Sequence, residues 1–182
     1  YGYQNNSGYQ IRGTGGGAVY INARIAEING AIFVNGTAGD HSGSDEYYYY
    51  RHGSPGGGSG GMIWLDIVTL SLEGNLSVEG GVGIPPSGTN YNEEEGYDNR
   101  RSGGGGGGGG RISIVTESLI DLNLLHISGG EGGDNGNGFA GLDGDDGVIY
   151  YLKVWLTSNT HPNEDIWYVD PSPTLDLDAS GN

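Results

Sequence analysis

Carboxylates are the side chains of this sequence with the clearest capacity for chemistry. They cluster in two glycine-rich stretches, at Glu93, Glu94 and Glu95 and at Asp143, Asp145 and Asp146. A glycosidase needs two carboxylates held at a fixed separation on opposite sides of the scissile bond. Because nothing in this spacing fixes such a separation, we predict no catalytic residues and no enzymatic activity.

Calcium suits these acidic stretches better, because it takes hard oxygen ligands from flexible loops. Residues 129–134, with the sequence GGEGGD, resemble the start of the calcium-binding nonapeptide GGxGxD. The apolar position that should follow is Gly136 here, and the nonapeptide does not repeat. Calcium is therefore the one cofactor that the sequence suggests. The predicted ligands are Asp134, Asp143, Asp145 and Asp146.

Two further groups of residues are candidates for modification or contact. Sequons for N-linked glycosylation place glycans at Asn5, Asn35 and Asn75 if a eukaryote secretes the protein. A tyrosine run either forms a contact surface or covers the fold; it comprises Tyr47, Tyr48, Tyr49 and Tyr50. An apolar group near the end of the chain is a second candidate interface, formed by Ile166, Trp167 and Val169.

These stretches lie between copies of a repeated cassette. In residues 57–83, a glycine block leads into MIWLDI, where apolar side chains alternate as they do in a half-buried strand. The copies cover residues 15–36, 57–83, 103–130 and 147–156. Their equivalent positions Val19, Ile63, Ile112 and Ile149 are 44, 49 and 37 residues apart. The pattern predicts an all-β fold of parallel β-helix or β-solenoid repeats, with a β-sandwich as the alternative.

The repeats divide the chain into a repeat domain, residues 1–157, and a tail, residues 158–182. The tail is predicted either to cap the last repeat or to dock on a neighbouring molecule as an intersubunit strand. The chain begins with Tyr1 and not with methionine. We therefore interpret it as a processed protein or as a segment of a longer one.

Composition excludes several classes of partner. The net charge is −16, so no basic patch is available for nucleic acid or for an anionic membrane surface. No apolar run has the length of a membrane span. The chain contains no cysteine, so disulfides and thiolate metal sites are absent.

Glycine makes up 40 of the 182 residues and includes eight in succession at residues 103–110. Such a run can form an extended three-fold helix of roughly 25 Å, at about 3.1 Å per residue. Side by side, segments of this kind can exchange backbone hydrogen bonds, and we expect residues 15–17 and 56–61 to stack on the long run. Glycine at every third position from residue 138 to 147 extends the idea. The alternative is a set of flexible loops.

The glycine block, the alternating strand and the closing Gly-Gly resemble the glycine-rich β-solenoid repeats of large extracellular surface proteins of protists and bacteria. The matching residues are 15–36, 57–81 and 103–130. The resemblance implies an extracellular or cell-surface location and a structural or adhesive role. We therefore predict a structural subunit of an extracellular fibre, appendage or coat that self-associates. The alternative is a carbohydrate-binding or adhesin module, calcium-dependent, that uses the tyrosine and acidic loops.

Overall fold

The computed structural model describes residues 9–42, 54–85, 102–134, 139–154 and 175–177. Within these ranges the chain is rich in strands and has almost no helix. The strands are β1 (Tyr9–Ile11), β2 (Ala18–Ile28), β3 (Ile32–Phe33), β4 (Asp40–Ser42), β5 (Met62–Leu72), β6 (Leu76–Ser77), β7 (Arg111–Thr116), β8 (Leu125–His126), β9 (Val148–Lys153) and β10 (Leu175–Leu177). One turn of 3₁₀-helix, Leu122–Leu124, precedes β8.

The long strands of successive repeats, β2, β5, β7 and β9, pair in parallel, and β10 adds an antiparallel edge to give a five-stranded sheet in the order β10-β9-β7-β5-β2. The predicted alignment of the repeats is confirmed. Val19 pairs with Ile63, which pairs with Ile112, which pairs with Ile149. A three-stranded parallel sheet, β3-β6-β8, repeats the pattern with the shorter strands.

The core is formed by the apolar side chains that alternate along these strands. The second repeat is the best packed, because Ile63, Leu65 and Ile67 of β5 are completely buried. The core residues around them include Leu76, Val78, Ile112, Ile114, Leu125 and Ile127. The equivalent residues of the first repeat, such as Val19 and Ile21, are only partly buried. The core is therefore deepest in the middle repeats and open towards β2.

Glycine-rich segments continue both sheets. Leading segments precede the long strands, and trailing segments follow the short ones. The leading segments are residues 13–17, 56–61, 103–110 and 139–147; the trailing segments are residues 34–39, 78–84 and 127–133. Backbone hydrogen bonds join them at every third residue. Three amides of the glycine run donate to the trailing segment 78–84: Gly104 to Ile84, Gly107 to Gly81 and Gly110 to Val78. Three others donate to the next leading segment, 139–147: Gly103 to Phe139, Gly106 to Leu142 and Gly109 to Asp145.

Each glycine triplet has two crowded positions and one open position. A Cβ atom on Gly106 would come closer than 3.0 Å to the backbone of the trailing segment 127–133. On Gly107 it would come equally close to the leading segment 56–61 of the preceding repeat. On Gly108 the nearest atom would be 3.6 Å away, which is an ordinary contact. The first position of a leading triplet therefore faces a trailing segment, and the first position of a trailing triplet faces a leading one. The second position faces the same kind of segment in the preceding repeat, and the third position faces outward.

Side chains in these segments follow the same rule. Third positions carry Ser59, Val82 and Glu131 without crowding. At the first repeat, Thr14 occupies a second position, where no earlier repeat lies among the described residues. At the fourth repeat, Asp143 and Asp146 occupy first positions, where the described part of the chain supplies no fourth trailing segment.

Two smaller pairings complete the described chain. β1 pairs with β4 in an antiparallel sense. β10, in the predicted tail, pairs antiparallel with β9 of the same chain, with Asp176 opposite Tyr150. Both alternatives for the tail, a cap on the last repeat and an intersubunit strand, remain predictions. The predicted interface residues Ile166, Trp167 and Val169 lie outside the described residues.

Tyr151 of β9 ties the sheet to the loop that follows β7. Its hydroxyl donates to the Ser118 carbonyl at 2.5 Å. Burial raises the pKa of Tyr151, and a hydrogen bond with the backbone of Ile120 offsets part of the rise. The folded state therefore favours the neutral phenol.

We expect Tyr151→Phe to lower the free energy of unfolding by about 1 kcal/mol at neutral pH, because one hydrogen bond is lost. The raised pKa also adds stability that is present below the unfolded pKa of about 10 and is lost as pH rises through the folded pKa. Urea unfolding at about pH 8 and about pH 11 measures this loss. Wild type should lose more stability over that window than Tyr151→Phe, with the exposed neighbour Tyr150→Phe as the control. Equal losses in wild type and Tyr151→Phe would contradict the assignment.

Candidate functional site

Three insertions connect a trailing segment to the next leading segment, and they include residues 43–53, 86–101 and 135–138, which lie outside the described residues. All three begin and end at the same end of the glycine segments. Trailing segments run antiparallel to leading ones, as shown by the bonds from Gly58 to Thr37 and from Gly61 to Val34. Each trailing segment therefore ends where the next leading segment begins. The flanks are also joined: Ser54 donates to the carbonyls of Pro85 and Ser102, at 3.1 Å each, and Ser102 bridges to Phe139.

This end is a place where variable sequence is held on a constant scaffold. Insertions that cluster on one side of a repeat array commonly carry its specific contacts. The tyrosine run predicted as a contact surface belongs to the first insertion and lies outside the described residues. It comprises Tyr47, Tyr48, Tyr49 and Tyr50.

Two of the four predicted calcium ligands accept hydrogen bonds from backbone amides. Asp143 Oδ1 accepts from Gly132 N at 2.7 Å, and Asp146 Oδ1 accepts from Gly129 N at 2.9 Å. These amides lie at the edge of the last trailing segment, where a further segment would otherwise accept from them. The two carboxylates, three residues apart, thus replace the carbonyls of a missing neighbour.

The other two predicted ligands are exposed: Asp134 directly follows the last trailing segment, and Asp145 lies in the last leading segment. Among the described residues, no group of three or more His, Cys, Asp or Glu side chains is arranged to hold a metal ion. Calcium binding remains a prediction that the geometry of these residues does not test.

Removing both edge carboxylates should destabilise the protein. For Asp143→Ala with Asp146→Ala, we expect the free energy of unfolding to fall by about 2 kcal/mol, because two amides lose charged acceptors. Asp145→Ala is the control for loss of charge: it removes one carboxylate where the double variant removes two, so the losses are compared per carboxylate, and its backbone carbonyl still accepts from Gly109. Thermal unfolding of the three proteins, with and without calcium, measures the effect. An equal loss in the control would show that net charge, and not capping, is responsible.

The sequons fall in different surroundings. Asn75 is exposed in the turn between β5 and β6. Asn35 is half-buried: its Oδ1 accepts from Ser77 Oγ at 2.6 Å and from Glu79 N at 2.9 Å, and its Nδ2 donates to Glu79 at 3.4 Å. A glycan on Asn35 would use this same amide nitrogen. Asn5 lies outside the described residues, and glycosylation at all three positions remains a prediction.

An aromatic row on the outward face of the five-stranded sheet was not predicted from the sequence. The ladder places Tyr20 beside Trp64, then Ser113, then Tyr150. The rings of Tyr20 and Trp64 are 5.2 Å apart at an angle of 60°. The Arg111 guanidinium lies 4.1 Å above the centre of the Tyr150 ring.

The signal for this row was present in the alignment of the repeats. Tyr20 and Trp64 each follow an aligned core residue, so strict alternation places both on the outer face. A pair of polar side chains flanks the row, because Asn22 donates to Asp66 Oδ2 at 2.9 Å.

Comparison of the chain with protein families, with curated protein sequences and with solved structures finds no match. Within the described ranges, no helix has the length and apolar character needed to span a lipid bilayer.

Proposed function

We propose that this protein is a non-enzymatic structural subunit of an extracellular fibre, appendage or coat, and that its copies associate through the first repeat. The observation that carries the proposal is the difference between the two ends of the strand stack. Among the described residues, the first repeat has an unpaired strand edge, whereas β10 covers the edge of the fourth repeat.

The open edge belongs to β2, eleven residues long. No described strand pairs with its outer side, and Ile25 is 73% exposed. A long strand edge with exposed apolar side chains is a template for pairing with another chain. The partly buried core residues Val19 and Ile21 lie on the same strand, so pairing there would also bury core surface.

The opposite end of the strand stack, at the fourth repeat, has fewer unpaired backbone groups available to a second copy of the chain. β10 occupies the edge of β9, and Asp143 and Asp146 occupy the edge amides of the last trailing segment. With one open end, association of two first repeats gives a closed pair related by a two-fold axis. A fibre or coat built from such pairs then needs a second contact, for which the insertions at one end of the scaffold and the tail are the candidates.

The proposed architecture is a parallel β-solenoid whose connections are polyglycine II helices. The in-register parallel ladders support the first part, and the three-residue period of the hydrogen bonds supports the second. Such a scaffold is stiff, because its connections are packed backbone against backbone.

Sedimentation equilibrium tests the proposed pairing. Wild type should form a dimer at micromolar concentration, and Ile25→Lys should be a monomer, because a charge on the edge strand opposes pairing. Leu119→Lys is the matched control, since Leu119 is 80% exposed outside any strand. A monomeric wild type, or a dimer that Ile25→Lys leaves unchanged, would overturn the proposal.

The proposed location is extracellular, on the strength of the resemblance of the repeats to surface proteins. Electron microscopy of the purified protein tests for ordered filaments or sheets. If deletion of residues 158–182 leaves such an assembly intact, the tail is not the second contact.

A further inference from the structure

The aromatic row has a composition unlike the rest of the described surface. Tyr20 is 59% exposed, Trp64 45% and Tyr150 36%, and all three lie within strands of one regular sheet. A soluble sheet face normally carries polar side chains, and clustered exposed aromatic rings mark a contact surface. The inward neighbours Ile63, Ile112 and Ile149 supply the core, so the aromatic side chains are not part of it.

We propose that this face binds a linear, neutral, β-linked polysaccharide, with Trp64 as the ring on which a sugar stacks and the tilted Tyr20 ring as its neighbour at 5.2 Å. The C–H groups of a β-linked pyranose make one face of each ring apolar, and that face packs against an aromatic ring. The inference concerns the outward face of the sheet and not the strand edge of β2 that the proposed self-association uses, and it goes beyond the structural role.

The spacing of the row suits an extended sugar chain. Adjacent strands are about 4.8 Å apart, so Trp64 and Tyr150, two strands apart, are separated by roughly 10 Å. Ser113 lies between them in the ladder, and its side chain is smaller than either ring. The interval has about the length of a disaccharide, with Trp64 on one side and the stacked Tyr150 and Arg111 on the other.

Polar groups on both sides of the row can bind sugar hydroxyls. Arg111 stacks on Tyr150 through the face of its guanidinium, which leaves N–H groups at the edge free to donate. Asp66 accepts from Asn22 through Oδ2, and its second oxygen is an additional acceptor. Such a combination of an aromatic surface with a few polar groups is typical of small-molecule sites.

Charge decides between neutral and anionic polymers. The chain has a net charge of −16, so its field repels a polyanion such as an acidic polysaccharide. A neutral polymer is not repelled by this field. The occupant that fits is therefore an uncharged β-linked chain of the cellulose, xylan or chitin type.

Isothermal titration calorimetry with cellohexaose, xylohexaose and chitohexaose tests the proposal and distinguishes the three sources. Wild type should bind at least one of them. Trp64→Leu should weaken that binding about tenfold or more, because the stacking ring is lost while an apolar strand residue remains. Phe33→Leu is the matched control, since Phe33 is an exposed aromatic residue on the other sheet. Equal melting temperatures of the two variants would show that both are folded.

Three results would overturn the proposal: no binding of any of the three oligosaccharides by wild type, unchanged binding by Trp64→Leu, or the same loss in Phe33→Leu. If Trp64→Leu instead abolishes dimerisation and wild type binds no sugar, the row is a contact between copies of the chain. Ile25→Lys keeps the two questions apart, because this variant should be a monomer that still binds the oligosaccharide. A wild type that is itself monomeric and binds the oligosaccharide would overturn the pairing proposal and leave this one.

Discussion

Gly107→Ala is expected to lower the free energy of unfolding by more than about 3 kcal/mol, whereas Gly108→Ala, one residue later in the same run, should not destabilise the protein. At Gly107 the new methyl group would collide with the backbone of Gly58, which cannot move without breaking its own hydrogen bonds. At Gly108 it would meet only an ordinary contact at 3.6 Å. There alanine should be neutral or stabilise by about 0.5 kcal/mol, since it restricts the unfolded chain.

Urea unfolding of both variants measures this difference, and amide hydrogen exchange of wild type provides an independent test. Gly106 and Gly107 donate to Leu142 and Gly81, so their amides should exchange slowly. Gly105 and Gly108 have no backbone acceptor among the described residues and should exchange fast. Uniformly fast exchange through residues 103–110, or equal effects of the two alanines, would contradict the three-residue packing.

Ile63→Ala is expected to lower the free energy of unfolding by about 4 kcal/mol, against about 1–2 kcal/mol for Ile21→Ala in the neighbouring strand. Both substitutions delete the same atoms from an inward position. Ile63 is completely buried between two repeats, so its removal leaves a cavity. Ile21 is only partly buried at the open edge, so water fills part of the space.

Denaturant unfolding of the two variants at low protein concentration measures the difference. Repeating it at high concentration adds information, because pairing through β2 would bury Ile21. The cost of Ile21→Ala should then rise, while the cost of Ile63→Ala should not. Equal costs for both variants at low concentration would mean that the first repeat is covered.

The strands and their register were predictable because they depend on a periodic signal. The alignment of Val19 with Ile63 and Ile112 needed only alternation and the glycine blocks as markers, and the ladders confirm it. The ordered stacking of the glycine segments was predicted in part from the three-residue spacing of Gly141, Gly144 and Gly147.

The environment of each glycine was not predictable in the same way. Eight identical residues carry no pattern, so nothing in residues 103–110 distinguishes a crowded position from an open one. Asp143 and Asp146 were predicted as calcium ligands because acidic loops favour that interpretation. Their bonds to backbone amides depend on where the last trailing segment ends, which is a property of the assembled fold. The aromatic row likewise required the register and not only the residue types.

The division of each glycine triplet into crowded and open positions bears on how such a protein changes length during evolution. A unit from the middle of the stack, with glycine at both crowded positions, can be duplicated in tandem and inserted beside itself without any further substitution. A unit copied from either end would bring Thr14 or Asp143 into a position that has room only for hydrogen. Duplication of an internal unit therefore lengthens the stack without compensating substitutions. We expect the two terminal units to persist unchanged while the number of units between them varies.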